Sequence, residues 1–197
     1  MNVGKMLSHC AQRFPDKTAV VFGKESLTFH QVNLMVCRVS NTLKQLGITR
    51  GERVALMLPN TSHFVIAYLG VLKLGAVCVP LDIRFKGEEL RGIVEDAQIK
   101  LFITTDELYE YCIPFFKTLT LPLTMIAVEG EGGKEQRGYI SFDVLVRDEA
   151  LSEETTVEIQ GDEEALYLYT SGTTGKIDRR LLAATAPKSF HTVISIF

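Results

Sequence analysis

Apolar residues along this chain fall into two alternating patterns. Short unbroken apolar runs stand at Thr18–Phe22, Arg53–Leu58, Ala76–Leu81, Leu101–Thr104, Leu123–Val128 and Ala165–Tyr169. Each is bounded by Gly, Pro or polar residues, which predicts strands. Between them the spacing changes to helical. Val32, Val36, Val39, Leu43 and Leu46 recur on one helical face, and Gly47 stands where a C-terminal cap belongs. A second helix is predicted from Asn60, Thr61 or Ser62 to about Leu74, closed by Gly75. A third runs over 86–97, with Leu90, Ile93, Val94 and Ala97 on one side, and a fourth over 106–119. Residues 3–13 suit a short amphipathic helix, and Leu27–Phe29 suits the return arm of a hairpin from Thr18–Phe22. Residues 130–138 read as a polar, Gly-rich loop.

Strands that alternate with helices, and that are apolar throughout, point to a parallel sheet covered on both faces. The predicted fold class is therefore α/β, a layered and largely parallel sheet with flanking helices and right-handed crossovers.

Composition narrows the function only a little. Hydrophobic residues make up 46% and charged residues 23%, as in a globular protein. The net charge of -3 gives no electrostatic case for a nucleic-acid partner. The four cysteines, Cys10, Cys37, Cys78 and Cys112, form no CxxC pair and sit in apolar stretches. Buried reduced thiols and a cytoplasmic location are expected. No signal peptide is read at the N-terminus, and no apolar run is long enough to span a membrane.

One stretch carries recognisable chemistry. Tyr169-Thr170-Ser171-Gly172-Thr173-Thr174-Gly175-Lys176 follows the apolar strand Ala165–Leu168 directly. Gly172 and Gly175 permit positive φ and close backbone approach. Successive backbone N–H groups in such a loop form an anion nest. Thr170, Ser171, Thr173 and Thr174 add hydroxyl donors, and Lys176 adds a point charge. The combination suits a polyphosphate. It is not a Walker A loop, because Thr170 or Ser171 stands where that motif needs glycine and Ile177 follows the lysine.

The same stretch resembles the signature phosphate loop of the adenylate-forming (AMP-binding) superfamily, which includes AMP-forming acyl-CoA synthetases. Two upstream segments resemble that family in the same order. They are Ser26-Leu27-Thr28-Phe29, and Val71 to Asp82 around Lys73-Leu74-Gly75-Ala76 and Pro80-Leu81-Asp82. The resemblance covers roughly residues 1–176. It implies ATP-dependent activation of a carboxylic acid, by default a fatty acid, to acyl-AMP and then acyl-CoA. ATP and magnesium are implied as cofactors, with CoA as co-substrate. It further implies that Thr170, Ser171, Gly172, Thr173, Thr174, Gly175 and Lys176 hold the ATP phosphates. The Gly75–Asp82 segment is expected to be architectural.

The pattern departs from the family after Lys176, where Ile177-Asp178-Arg179 replaces a Pro-Lys-Gly continuation. Acids dominate from Glu129 to Glu164, and bases dominate after Lys176. The division expected is 1–176 as a partial N-terminal AMP-binding domain and 177–197 as a divergent tail from a lost frame or truncation. No regular period is read from Arg180 until Val193–Phe197. The catalytic lysine and later family motifs have no counterpart here, so an inactive fragment with an exposed sheet edge is expected. Alternatives are a non-catalytic nucleotide- or partner-binding module, or part of a peptide-synthetase adenylation domain. His30 and His63 are read as surface or capping residues without recognisable Ser or Asp partners. Tyr167 and Tyr169 are read as packing residues, with Tyr169 bordering the loop.

Overall fold

The computed structural model describes residues 3–85, 87–119, 122–130, 138–154, 157–158, 163–171 and 177–183, with side chains to Tyr169. Its centre is a sheet of seven strands. These are β3 (Arg53–Met57), β4 (Val77–Pro80), β5 (Leu101–Thr105), β6 (Thr124–Val128), β7 (Ile140–Ser141), β8 (Glu164–Ser171) and β9 (Ile177–Ala183), in the order β7-β6-β5-β3-β4-β8-β9. All neighbours are parallel except β8 and β9. Two shorter strands, β1 (Thr18–Phe22) and β2 (Glu25–Thr28), form a separate antiparallel hairpin.

Helices cover both faces, as continuous apolar strands require. On one side α1 (Val3–Arg13), α2 (Phe29–Gln45), α3 (Ser62–Lys73) and α6 (Phe142–Arg147) surround a core that contains Val36, Val39, Leu56, Val71, Ile103 and Phe142. On the other, α4 (Gly87–Asp96) and α5 (Asp106–Phe116) pack over Ala55, Met57, Val79, Phe102 and Tyr167. The chain moves from β3 to β4 through α3 on the first face. It returns past β3 to β5 through α4 on the second.

Local chemistry sets the element ends. Thr28 starts α2 with a capping box. Its side chain accepts from the Gln31 N–H at 3.3 Å, and Gln31 Oε1 accepts from the Thr28 N–H at 2.8 Å. This gives the Ser26–Phe29 segment its physical reason: the hairpin must end on a residue able to cap. Gly75 adopts φ 77°, which reverses the chain between α3 and β4. Gly70 lets α3 approach α2 closely, because a Cβ there would lie 2.5 Å from Val39 Cγ1.

Several expectations need correction. Asn60, Thr61 and Ser62 all suit the α3 cap by residue type; Thr61 occupies that position but makes no side-chain capping bond. Between Gly138 and Ala165 the sequence predicts no element, yet β7 and α6 lie there, with Phe142 wholly buried. Beyond Lys176 the backbone forms β9, paired along β8 from Ser171↔Ile177 to Glu164↔Ala183. The sheet therefore ends at β9 and not at β8. Antiparallel hydrogen bonding with β8 supplies the regularity that residue spacing did not reveal. Three of the cysteines are buried, whereas Cys10 is only partly so, and all four are free thiols.

Candidate phosphate-loop site at the carboxyl edge

Ligands in open α/β sheets bind outside the carboxyl ends of the parallel strands. Strand β8 reaches that edge at Ser171. Thr170 and Ser171 are still within β8, where their backbones face Asp178 and Ile177 of β9. The stretch 172–176 therefore joins the two arms of a hairpin. Gly172, Thr173, Thr174, Gly175 and Lys176 themselves lie outside the described residues.

The stem of this hairpin is anchored on both faces. Ala165 and Leu166 are buried in the α2/α3 core, with Leu168 against it. Tyr167 and Tyr169 turn to the α4/α5 side. Tyr167 donates its hydroxyl to Glu164 Oε2 at 2.6 Å, and Tyr169 donates to Asp96 Oδ2 at 2.5 Å. Both tyrosines are packing residues as expected, but each also carries a polar tie. Across the sheet, β4 pairs with β8 through Cys78↔Leu166, and the chain beyond β4 emerges at the same edge.

That exit is braced. Leu81 N–H donates to the Leu56 carbonyl at 2.8 Å. Arg84 donates through Nε to Asp82 Oδ1 at 2.9 Å and through Nη2 to Asp82 Oδ2 at 2.6 Å. These guanidinium bonds hold the Asp82 carboxyl down, at about 2. The Gly75–Asp82 segment is thus a turn, a strand and a clamped exit, in line with an architectural role. Next to it, Thr104 Oγ1 donates to the Met57 carbonyl at 3.1 Å and stitches β5 to β3.

The histidines separate. His30 is exposed at the start of α2, where its N–H donates to the Pro15 carbonyl. His63 lies 3.9 Å from Asp143 Oδ1 and edge-on to Phe142 at 5.6 Å. Asp143 also accepts from the Glu129 N–H at 3.2 Å. The sequence reading missed this carboxylate partner, which α6 brings back from far along the chain. Among the described residues no group of three or more His, Cys, Asp and Glu could hold a metal ion. Two of the thiols are inert by placement: burial raises Cys78 well above its ordinary value and pushes Cys112 up to about 11. No helix among the described residues is long and apolar enough to cross a membrane.

A sheet of this order, with a Thr/Ser/Gly loop leaving its carboxyl edge, is matched by known proteins. The chain belongs to the AMP-binding enzyme family, whose model matches residues 7–177. Within it, the relatives are adenylate-forming acyl-CoA ligases, and the match is to their N-terminal part. It is 30% identical over 180 residues to the crotonobetaine/carnitine–CoA ligase of Salmonella paratyphi A, covering 89% of this chain and 35% of that protein. The fold superposes on an anthranilate CoA ligase in complex with anthranoyl-AMP. The TM-score is 0.83 at 27% identity, over 93% of this chain and 35% of that one. It also superposes on the N-terminal domain of FACL13 from Mycobacterium tuberculosis. There the TM-score is 0.78 at 30% identity, over 93% of this chain and 44% of that one. The chain spans about a third of the length of the curated relatives it matches.

Proposed function

We propose that these residues supply the ATP-phosphate grip of an acyl-CoA ligase that activates a carboxylic acid, by default a fatty acid, as its acyl adenylate. The observation that carries this reading is the hairpin: β8 runs from a buried apolar stem to Thr170 and Ser171 at the carboxyl edge of a parallel sheet, and β9 pairs back along it from Ile177. Strand pairing fixes the backbone at Thr170 and Ser171 before nucleotide arrives, so less ordering is needed on binding. The backbone N–H groups and hydroxyls of Gly172–Gly175 then face the β- and γ-phosphates, and Lys176 offsets their charge. Magnesium, when bound, neutralises phosphate charge, and no described residue is assigned to it. CoA is the acceptor of the acyl group in this reading.

The chain's own contribution is positioning rather than proton transfer or covalent chemistry. Neither His63 nor His30 is given a catalytic role. A division at Lys176 and a cytoplasmic setting for the free thiols complete the proposal. On their own these residues bind nucleotide without completing adenylation. Carboxylate-dependent ATP–pyrophosphate exchange, assayed with the purified chain and a panel of fatty acids, tests this. No acid-dependent exchange is expected; robust exchange would show that the described machinery does more than grip phosphate.

A further inference from the structure

Among the described residues one charged side chain, Lys73, is buried as deeply as the core apolar ones, at 2% exposure. It sits at the end of α3, and α1 crosses directly over it. A Cβ at Gly4 would come within 2.8 Å of the Lys73 Cα. An ammonium held this far from water needs an anion. The anion is Glu154, which lies far along the chain beyond α6.

Four donors from three helices converge on that one carboxylate. Lys73 Nζ of α3 and Ser8 Oγ of α1, the latter at 2.5 Å, reach Oε1. Asn33 Nδ2 at 3.3 Å and Cys37 Sγ at 3.4 Å, both of α2, reach Oε2. Lys73 also donates to Ser8 Oγ at 2.8 Å, so the donors support one another. Every donor belongs to the helical layer, whereas the carboxylate comes from outside it.

The segment that brings Glu154 is otherwise held by polar contacts. The 3-10 turn Glu149–Leu151 has no buried residue. Its neighbours are held by hydrogen bonds from α2. Asn41 donates to the Leu151 and Glu153 carbonyls at 2.8 and 2.9 Å, and Arg38 donates to Ser152 Oγ at 2.9 Å. A segment docked by polar contacts, without an apolar anchor, belongs to the low-stability end of a fold.

We propose that Lys73, Ser8, Asn33 and Cys37 form a carboxylate receptor, and that Glu154 is its tethered occupant, latching the segment Asp148–Glu154 across α1, α2 and α3. The ligand class is a small carboxylate. The latch is independent of the nucleotide reading, and its test contains no nucleotide.

The test is chemical rescue of Glu154→Ala in the full chain. With the tethered ligand gone, Lys73 is left as a cation facing a vacated site. Sodium acetate or formate should then raise the thermal midpoint saturably, relative to sodium chloride at equal ionic strength. The wild type and the double variant Glu154→Ala/Lys73→Met should show no such difference. Hydrogen exchange at residues 148–154 should quicken about tenfold or more in Glu154→Ala and slow again with acetate. Equal responses to acetate and chloride in Glu154→Ala, or equal acetate responses in the two variants, would overturn the proposal. Should Glu154→Ala not give folded protein, Glu154→Gln carries the test. Faster exchange confined to 148–154 supports the latch, and unchanged exchange there overturns it.

Discussion

The Tyr169 hydroxyl donates to Asp96 Oδ2 at 2.5 Å, which ties the end of the buried stem of β8 to the last turn of α4. Three residues later the candidate phosphate loop begins its tip. The bond therefore fixes the platform from which the loop departs. Tyr169→Phe keeps the ring and its packing but removes the tie. Because Asp96 is exposed, the expected stability loss is small, about 1 kcal/mol or less. MgATP affinity should fall several-fold, and calorimetric titration beside a denaturation curve would separate the two effects. Equal affinity in both proteins would mean that the tie does not position the loop.

Gly70 is a packing requirement. Alanine there would drive its Cβ to 2.5 Å from Val39 Cγ1 and 2.8 Å from Val39 Cβ. Gly70→Ala is expected to destabilise by about 1–3 kcal/mol through overpacking between α2 and α3. Adding Val39→Ala should recover part of that loss, because the two sites share one contact. Urea denaturation of the two single variants and the pair measures the coupling, and strict additivity would contradict the contact.

Acid should weaken the fold through a few identifiable carboxylates. Arg84 holds Asp82 at about 2, below its ordinary 3.8. For Glu154 burial pushes upward, but the bonds from Lys73 and Ser8 outweigh it and leave the group below its ordinary 4.5. Glu52 follows the same balance, with Lys100 and the Thr49 N–H as its partners. Groups depressed in the folded state contribute stability above their ordinary values and lose it as pH falls through the folded ones. Around Glu154 the facing groups are Lys73 and Cys37, while Arg38 is engaged with Ser152 and the Val146 carbonyl. The thermal midpoint should therefore hold from neutral pH to about 5 and decline below it. Glu154→Gln should show a shallower decline. A midpoint that stays flat to about pH 3 would contradict these assignments.

Much of this architecture was legible in the apolar runs. Each long run became a strand; those inside the main sheet show no alternation to hide them, whereas Thr18–Phe22 went to the antiparallel hairpin. The helices of α2, α3 and α4 were legible from face periodicity and from Gly47 and Gly75. What escaped was short or non-local. The two residues of β7 and six of α6 are too few to display a period. The strand character of β9 depends on β8 beside it. The burial of Lys73 exists only once α1 and Glu154 close over it. His63–Asp143 and Tyr169–Asp96 join residues whose proximity exists only after the sheet is assembled. The polyphosphate chemistry of Thr170–Lys176 was legible in residue type alone. The structure adds that its first two residues belong to a paired strand at the carboxyl edge.

The central claim is that the hairpin tip grips the phosphates of ATP. Isothermal titration of MgATP into the purified chain, beside Lys176→Ala and Thr173→Ala/Thr174→Ala, tests it most directly. The account predicts saturable one-site binding by the wild type. It predicts at least about tenfold weaker binding, or about 1.4 kcal/mol, in each variant, with thermal midpoints unchanged. No saturable binding by the wild type, or equal affinity in all three proteins, would contradict it.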